Sequence, residues 1–196
     1  MGEQPELRTG RLLLRPFALT DAPIVQQLAG DKEIASTTLT IPYPYEDGMA
    51  EEWISTHPER FTRGEGVTFA VVRRKDNRLI GAIALGISQQ HQHAELGYWI
   101  GKPYWNNGYC TEAAQAVLNY GFTELGLNRI YAQHMSRNPS SGRVMEKIGM
   151  RYEGCLKEHF RKWDAFEDVK RYGILKSEYA PQPGTHVYQV GAPAGH

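Results

Sequence analysis

Cysteine is scarce in this chain: Cys110 and Cys155 are too few for a disulfide framework and do not form a metal-binding pair. Net charge is also missing. Lys and Arg total 22 and Asp and Glu total 22, so nothing draws the protein electrostatically toward nucleic acid. No apolar run is long enough to cross a bilayer, no secretory leader is visible, and Glu6 stands where a myristoylation signal needs Ser or Thr. The expected setting is a reducing cytoplasm, with no membrane and no nucleic-acid partner. The chain also lacks a Gly-x-Gly-x-x-Gly after a strand and a Gly-Lys-Ser/Thr loop ending, which argues against NAD and ATP sites. No internal repeat is present. At 196 residues the length suits one domain with a full core. That domain is expected over residues 1–180, with a flexible tail over 181–196, where Pro-Gln-Pro-Gly-Thr gives way to a patternless end.

What is present is an ordered series of short elements. Arg11-Leu-Leu-Leu-Arg15 reads as a strand stopped by Pro16, and Thr20-Asp21-Ala-Pro23 starts a helix. Thr37 to Tyr45, with two prolines, reads as an irregular loop, and 46–62 as helical with Met49, Trp53 and Ile54 on one side. Val67–Val72 and Leu79–Leu85 read as a hairpin turning at Asp76-Asn77, and Glu95–Ile100 as the next strand. Apolar spacing from Ala113 to Leu125 predicts a helix, followed by a strand over 128–134. Pro139 to Ile148 reads as a short helix closed by Gly149, and 151–161 and 168–176 as closing strands. The order is α/β (α+β) around a mixed sheet, without the strict alternation of a doubly wound fold.

The most informative stretch is Glu95-Leu-Gly-Tyr-Trp-Ile-Gly101 followed by Lys-Pro-Tyr-Trp105-Asn-Asn-Gly108-Tyr-Cys110-Thr-Glu-Ala-Ala114. It runs strand, glycine-containing loop, helix start, which leaves main-chain N–H groups open at a helix N-terminus where the dipole favours an anion. An ordinary βα connection would read the same way. Thirty residues on, Asn138-Pro-Ser-Ser141 combines Asn at an N-cap with Pro at N1, a helix start that needs no ligand.

Together these segments resemble the GCN5-related N-acetyltransferase (GNAT) superfamily, in the branch that acetylates ribosomal-protein N-termini (RimJ/RimL type). The resemblance covers roughly residues 8 to 179 and is carried by Arg11-Leu-x-Leu-Arg15-Pro16 with Asp21, Ala94–Ile100, Trp105–Ala113 and Asn138–Met150, with 168–178 closing. It implies a mixed, mostly antiparallel sheet of about seven strands, splayed between the fourth and fifth, with about four helices. It implies acetyl-CoA as cosubstrate and no metal. The amides of Asn106, Asn107, Gly108, Tyr109, Cys110 and Thr111 would bind the pyrophosphate, Gly108 letting the chain approach without a Cβ. Trp99 and Ile100 would supply main-chain contacts to the pantetheine in the splay, Asn138 would meet the pantetheine, and Ser141 would lie near the thioester sulfur as proton donor. Glu112 in the first helical turn would repel phosphate, so it is expected to turn away, toward the dipole's flank or a cationic partner.

Transfer to an amine needs a proton acceptor. Glu158 is the first candidate, because strand parity places it with Tyr152, Leu156 and Phe160; pairing with Arg161 or Lys157 is the alternative. Glu95 and His134 follow, the histidine also suiting the core. His91 and His93 share a strand face, but no third ligand is suitably spaced for a metal. The expected activity is an acetyl-CoA-dependent N-acetyltransferase acting by direct attack in a ternary complex, on a small-molecule amine or a protein N-terminus. The alternatives are a non-catalytic acyl-CoA sensor and a nucleotide-dependent enzyme. Assembly is left open between monomer and homodimer.

Overall fold

The computed structural model describes residues 3–181 and the backbone of 186–188. One sheet organises the chain. Its strands are β1 (Glu6–Arg8), β2 (Leu12–Arg15), β3 (Gly66–Arg73), β4 (Arg78–Ser88), β5 (His93–Ile100), β6 (Arg129–Met135), β7 (Arg151–Lys162), β8 (Ala165–Leu175) and β9 (His186–Tyr188). They lie in the order β7-β8-β6-β5-β4-β3-β2-β1-β9. Apart from the parallel pair β5–β6, every neighbouring pair is antiparallel.

The helices are α1 (Ala22–Ala29), α2 (Lys32–Thr37), α3 (Met49–Ser55), α4 (His57–Thr62), α5 (Tyr109–Thr123) and α6 (Pro139–Lys147). The sheet is therefore larger than the seven strands that the resemblance implied, and the helices more numerous. β1 is a three-residue strand, too short to show a readable period, and α2 precedes the expected loop. The expected helix over 46–62 is two helices meeting at Thr56, with Pro58 in the first turn of the second. Most of the expected tail, 181–196, lies outside the described residues; within it, His186–Tyr188 pairs with β1 as a strand.

Layering follows side-chain parity. Phe69, Val71, Leu85, Leu96, Ile130 and Ala132 face α5 and α6 and join Ala113, Val117, Phe122 and Met145 in the main core. On the opposite face α1 and α3 build a smaller cluster around Val25, Ala29 and Ile54, against which Trp53 and Trp99 pack. No helix among the described residues is long and apolar enough to cross a membrane.

Candidate active site

β5 and β6 pair only over His93↔Arg129, Ala94↔Ile130 and Glu95↔Tyr131. Beyond Glu95 the two strands diverge, and a cavity of about 1360 Å³ opens between them and runs through the sheet. The register decides what lines this fork. Gly101 N–H donates to Ile80 O at 2.8 Å, in the same register as Ala82↔Trp99 and Ala84↔Gly97. Hydrogen-bonded pairs alternate along an antiparallel ladder, so Gly97 and Trp99 direct their main-chain groups to β4, whereas Leu96, Tyr98 and Ile100 direct theirs into the fork. This corrects the expectation for Trp99, which offers the cleft its indole and not its amide. Ile100 retains an open N–H, but its carbonyl accepts the Trp105 indole Nε1–H at 2.5 Å.

The other wall follows the same logic. Ser136 N–H donates to Asp168 O at 2.8 Å, in register with Met135↔Val169, so His134 and Ala132 bond to β8. Gln133 and Met135 face the fork, the Met135 carbonyl being occupied by Asn138 N–H and by His134 Nδ1, each at 2.8 Å.

At the wide end, Asn106 (φ 60°) and Gly108 (φ 75°) turn the chain into the first turn of α5. Among the described residues, the main-chain N–H groups of Asn106 through Thr111 have no protein acceptor. These donors, at the positive end of a 15-residue helix, form an anion nest. Asn106, Gly108, Tyr109, Cys110 and Thr111 line the cavity. Asn107 does not. Its Nδ2 donates to the carbonyls of Trp105 (2.7 Å) and Tyr104 (3.2 Å), and its own carbonyl accepts Arg11 Nη1, so it shapes the loop from behind.

Glu112 turns away from the nest, as expected. Its carboxylate accepts the Thr9 hydroxyl (2.6 Å), Arg11 N–H (2.9 Å) and Arg11 Nε (2.6 Å). Burial alone would raise its pKa, but these bonds, led by the Thr9 hydroxyl, hold it below the usual carboxylate value. Burial pushes the Cys110 thiol up to about 12, so it stays protonated and is a poor acyl acceptor.

A hydroxyl pair and a carboxylate lie on opposite faces of the fork. On the α5/α6 side, Asn138 caps α6 and accepts Ser141 N–H at 3.4 Å, the ligand-free role its sequence allows. The Ser141 hydroxyl lies 3.0 Å from the Tyr98 hydroxyl, which also donates to Ser141 O at 3.0 Å. Burial raises the Tyr98 pKa, and the Ser141 contact only partly offsets this, so the phenol remains a donor. The sequence reading missed Tyr98, although alternation along β5 places it on the face of Leu96 and opposite Glu95.

On the α1/α3 side, Glu95 sits at the fork apex. It accepts Gln133 Nε2 at 2.8 Å and the Tyr131 hydroxyl at 3.4 Å, and it lines the cavity. His134 packs instead. It is buried, stacked on Tyr172 with ring centroids 5.7 Å apart, and its unpartnered Nε2 lies where a Cβ on Gly142 would come within 2.7 Å.

Glu158 is not in this site. The β7–β8 register shifts between Leu156 and Phe160, and Glu158 occupies that bulge with φ 48°. A bulge breaks strict alternation, so the parity argument fails there. The side chain is exposed rather than buried among apolar neighbours, and it pairs with neither Lys157 nor Arg161. Its N–H donates to Asp168, which also binds Lys157. Phe160, just past the bulge, does reach the cavity.

A family model described as an acetyltransferase (GNAT) domain matches residues 11–151. The chain is 30% identical over 175 residues to the uncharacterized N-acetyltransferase p20 of Bacillus licheniformis, covering 89% of this chain and 98% of that one. Among solved structures it resembles a GNAT-family acetyltransferase from Bacillus anthracis, with TM-score 0.78, 32% identity and 88% and 99% of the two chains covered. It also resembles spermidine N-acetyltransferase from Vibrio cholerae in complex with CoA and spermine, with TM-score 0.75, 28% identity and 86% and 98% covered.

Proposed function

The chain belongs to the acetyltransferase (GNAT) family, with ribosomal-protein acetyltransferases among its relatives, and on that premise we propose that Glu95 accepts the proton in acetyl transfer to a primary amine. The cosubstrate is acetyl-CoA. Its diphosphate fits the free amides of Asn106 and Gly108 to Thr111, where the loop presents donors and no competing carboxylate. Its pantetheine arm fits the open edge of β5 and pairs with Tyr98 and Leu96 as an added strand would. From Ile100 to Glu95 that edge spans about 17 Å, five residues at roughly 3.3 Å each. The thioester end is thereby directed toward the apex.

The observation that carries this reading is the placement of Glu95 and the Tyr98–Ser141 pair on opposite faces of one fork. The amine approaches from the α1/α3 side, where Glu95 takes its proton and leaves the nitrogen lone pair free. Nitrogen attacks the thioester carbonyl carbon, the C–S bond breaks, and the departing thiolate takes a proton from the hydroxyl pair on the α5/α6 side. The second proton that the nitrogen sheds as it becomes an amide leaves through solvent, from which the hydroxyl pair is reprotonated. The open N–H groups along β5 face the carbonyl oxygen as it gains charge. Gln133 and Tyr131 fix the carboxylate geometry, so attack is governed mainly by positioning.

Glu95→Gln keeps the shape and removes the acceptor. In a coupled thiol-release assay with acetyl-CoA and an amine panel it should lower kcat by about 10²- to 10⁴-fold. Acetyl-CoA affinity, measured by calorimetry, should stay unchanged. Full turnover by Glu95→Gln removes the role of this carboxylate. Glu158→Gln, on the exposed bulge, should behave as the parent.

A further inference from the structure

Resting on the placement of the amine at Glu95, the α1/α3 end of the cavity also limits what the rest of the acceptor can be. Its walls join the hydroxyl-bearing 36–40 segment to a set of apolar and aromatic side chains, Ile34, Ile41, Tyr45, Trp53, Trp99 and Phe160, the last five only half-buried by the protein itself. Half-exposed aromatic faces in a concavity gain from an apolar occupant that removes them from water. The wall is also held in place. Lys162, on the β7–β8 hairpin, donates to Ile41 O at 2.9 Å and to Leu39 O at 3.5 Å, Arg137 donates to Ser36 O, and Tyr43 packs 6.1 Å from Trp163. The segment from Ser36 to Tyr43 is therefore strapped to the far side of the sheet.

Charge sorts occupants further. Of the carboxylates that line the cavity, Glu95 is at the apex, Glu33 is ion-paired with Lys102, and Glu52 stands on the exposed rim, where Arg60 also lines the opening. Behind the wall, the buried Lys162 ammonium has no carboxylate partner among the described residues. Between Glu95 and the exposed rim, a second ammonium on the acceptor would find no unpaired carboxylate, and the fixed cation behind the wall opposes it further, whereas a single ammonium meets Glu95.

We propose that the acceptor is a small monoamine bearing one bulky apolar or aromatic group, and that a polyamine is a poor acceptor. This separates the chain from the spermidine acetyltransferase that it resembles in fold.

The test is calorimetric titration of the CoA-bound protein, in which no turnover occurs, with 2-phenylethylamine, spermidine and a short peptide with a free N-terminal Ala. The expected result is binding of 2-phenylethylamine at least about tenfold tighter than either competitor. Trp53→Leu should weaken 2-phenylethylamine and leave spermidine unchanged. Lys162→Met should narrow the ratio by strengthening spermidine, with thermal melts confirming that each variant is folded. Spermidine or the peptide binding as tightly as the aromatic amine overturns the proposal, and so does binding of none of the three. Tight binding of 2-phenylethylamine without acetylation from acetyl-CoA also overturns the proposal, whereas its acetylation at an undiminished rate by Glu95→Gln leaves the acceptor class standing and removes the assignment of Glu95.

Discussion

Gly108→Ala separates the conformational role of the nest from its role in binding. Gly108 holds φ 75°, a left-handed conformation that costs an L-residue about 1–2 kcal/mol. A Cβ there would meet only Arg11 Nη2 at 3.5 Å, an ordinary contact, so strain is the sole stability cost. Gly126 is the matched control: φ is 65°, nothing lies within 4 Å of a built Cβ, and it is remote from the cleft. Both alanine variants should therefore lose similar stability, lowering Tm by about 2–8 °C for a domain of this size. They should differ in acetyl-CoA affinity. The added methyl stands in the approach to the free amides, and losing even one charge-assisted hydrogen bond there costs about 1.5–3 kcal/mol, or about tenfold or more in Kd. Differential scanning fluorimetry and acetyl-CoA calorimetry on the pair give the two readouts. Equal Kd values for the two variants would refute the claim that these amides hold the diphosphate.

His57, buried against Trp53 and Phe17 with neither ring nitrogen bonded, has its pKa lowered to about 4 by burial and secondarily by Arg60. Between about pH 6.5 and 4 the unfolded chain takes up a proton there that the folded protein refuses, so unfolding free energy falls as pH drops through that window, by about 3 kcal/mol. Urea titrations at pH 7 and 4.5 should show that loss in the parent and a much smaller one in His57→Phe. Glu112→Ala strips the acceptor from Thr9 and Arg11 and should cost about 2 kcal/mol by chemical denaturation. Tyr98→Phe leaves the Ser141 hydroxyl without its neighbour and should reduce kcat about three- to tenfold with little change in acetyl-CoA Kd, read by steady-state kinetics and calorimetry.

Local signals were legible where one segment contained them. Asp76-Asn77 marked the β3–β4 hairpin, and Asn77 takes the left-handed φ of 54° that such a turn needs. The apolar repeat from Ala113 marked α5, and the loop before it marked the nest. Contacts between distant segments were not legible. Glu112 could be expected to want a cation, but Thr9 and Arg11 lie about a hundred positions away. Tyr98 and Ser141 meet only because α6 docks over the splayed end of β5. Glu158 shows a different failure. Alternation holds within an unbroken ladder, and a single irregularity between Leu156 and Phe160 moved the candidate base out to solvent.

The indole of Trp105, hydrogen-bonded to the Ile100 carbonyl, works as an end stop on the β5 edge. On the proposed binding mode, an incoming arm would compete with the indole for that oxygen and would find its first unoccupied outward-facing carbonyl at Tyr98. Were the stop removed, as in Trp105→Phe, the arm could slip by one two-residue repeat. Such a slip would carry the thioester about 6.6 Å along the strand and away from the carboxylate at the fork. On that binding mode, one side chain outside the reacting groups would gauge where the acetyl group comes to rest.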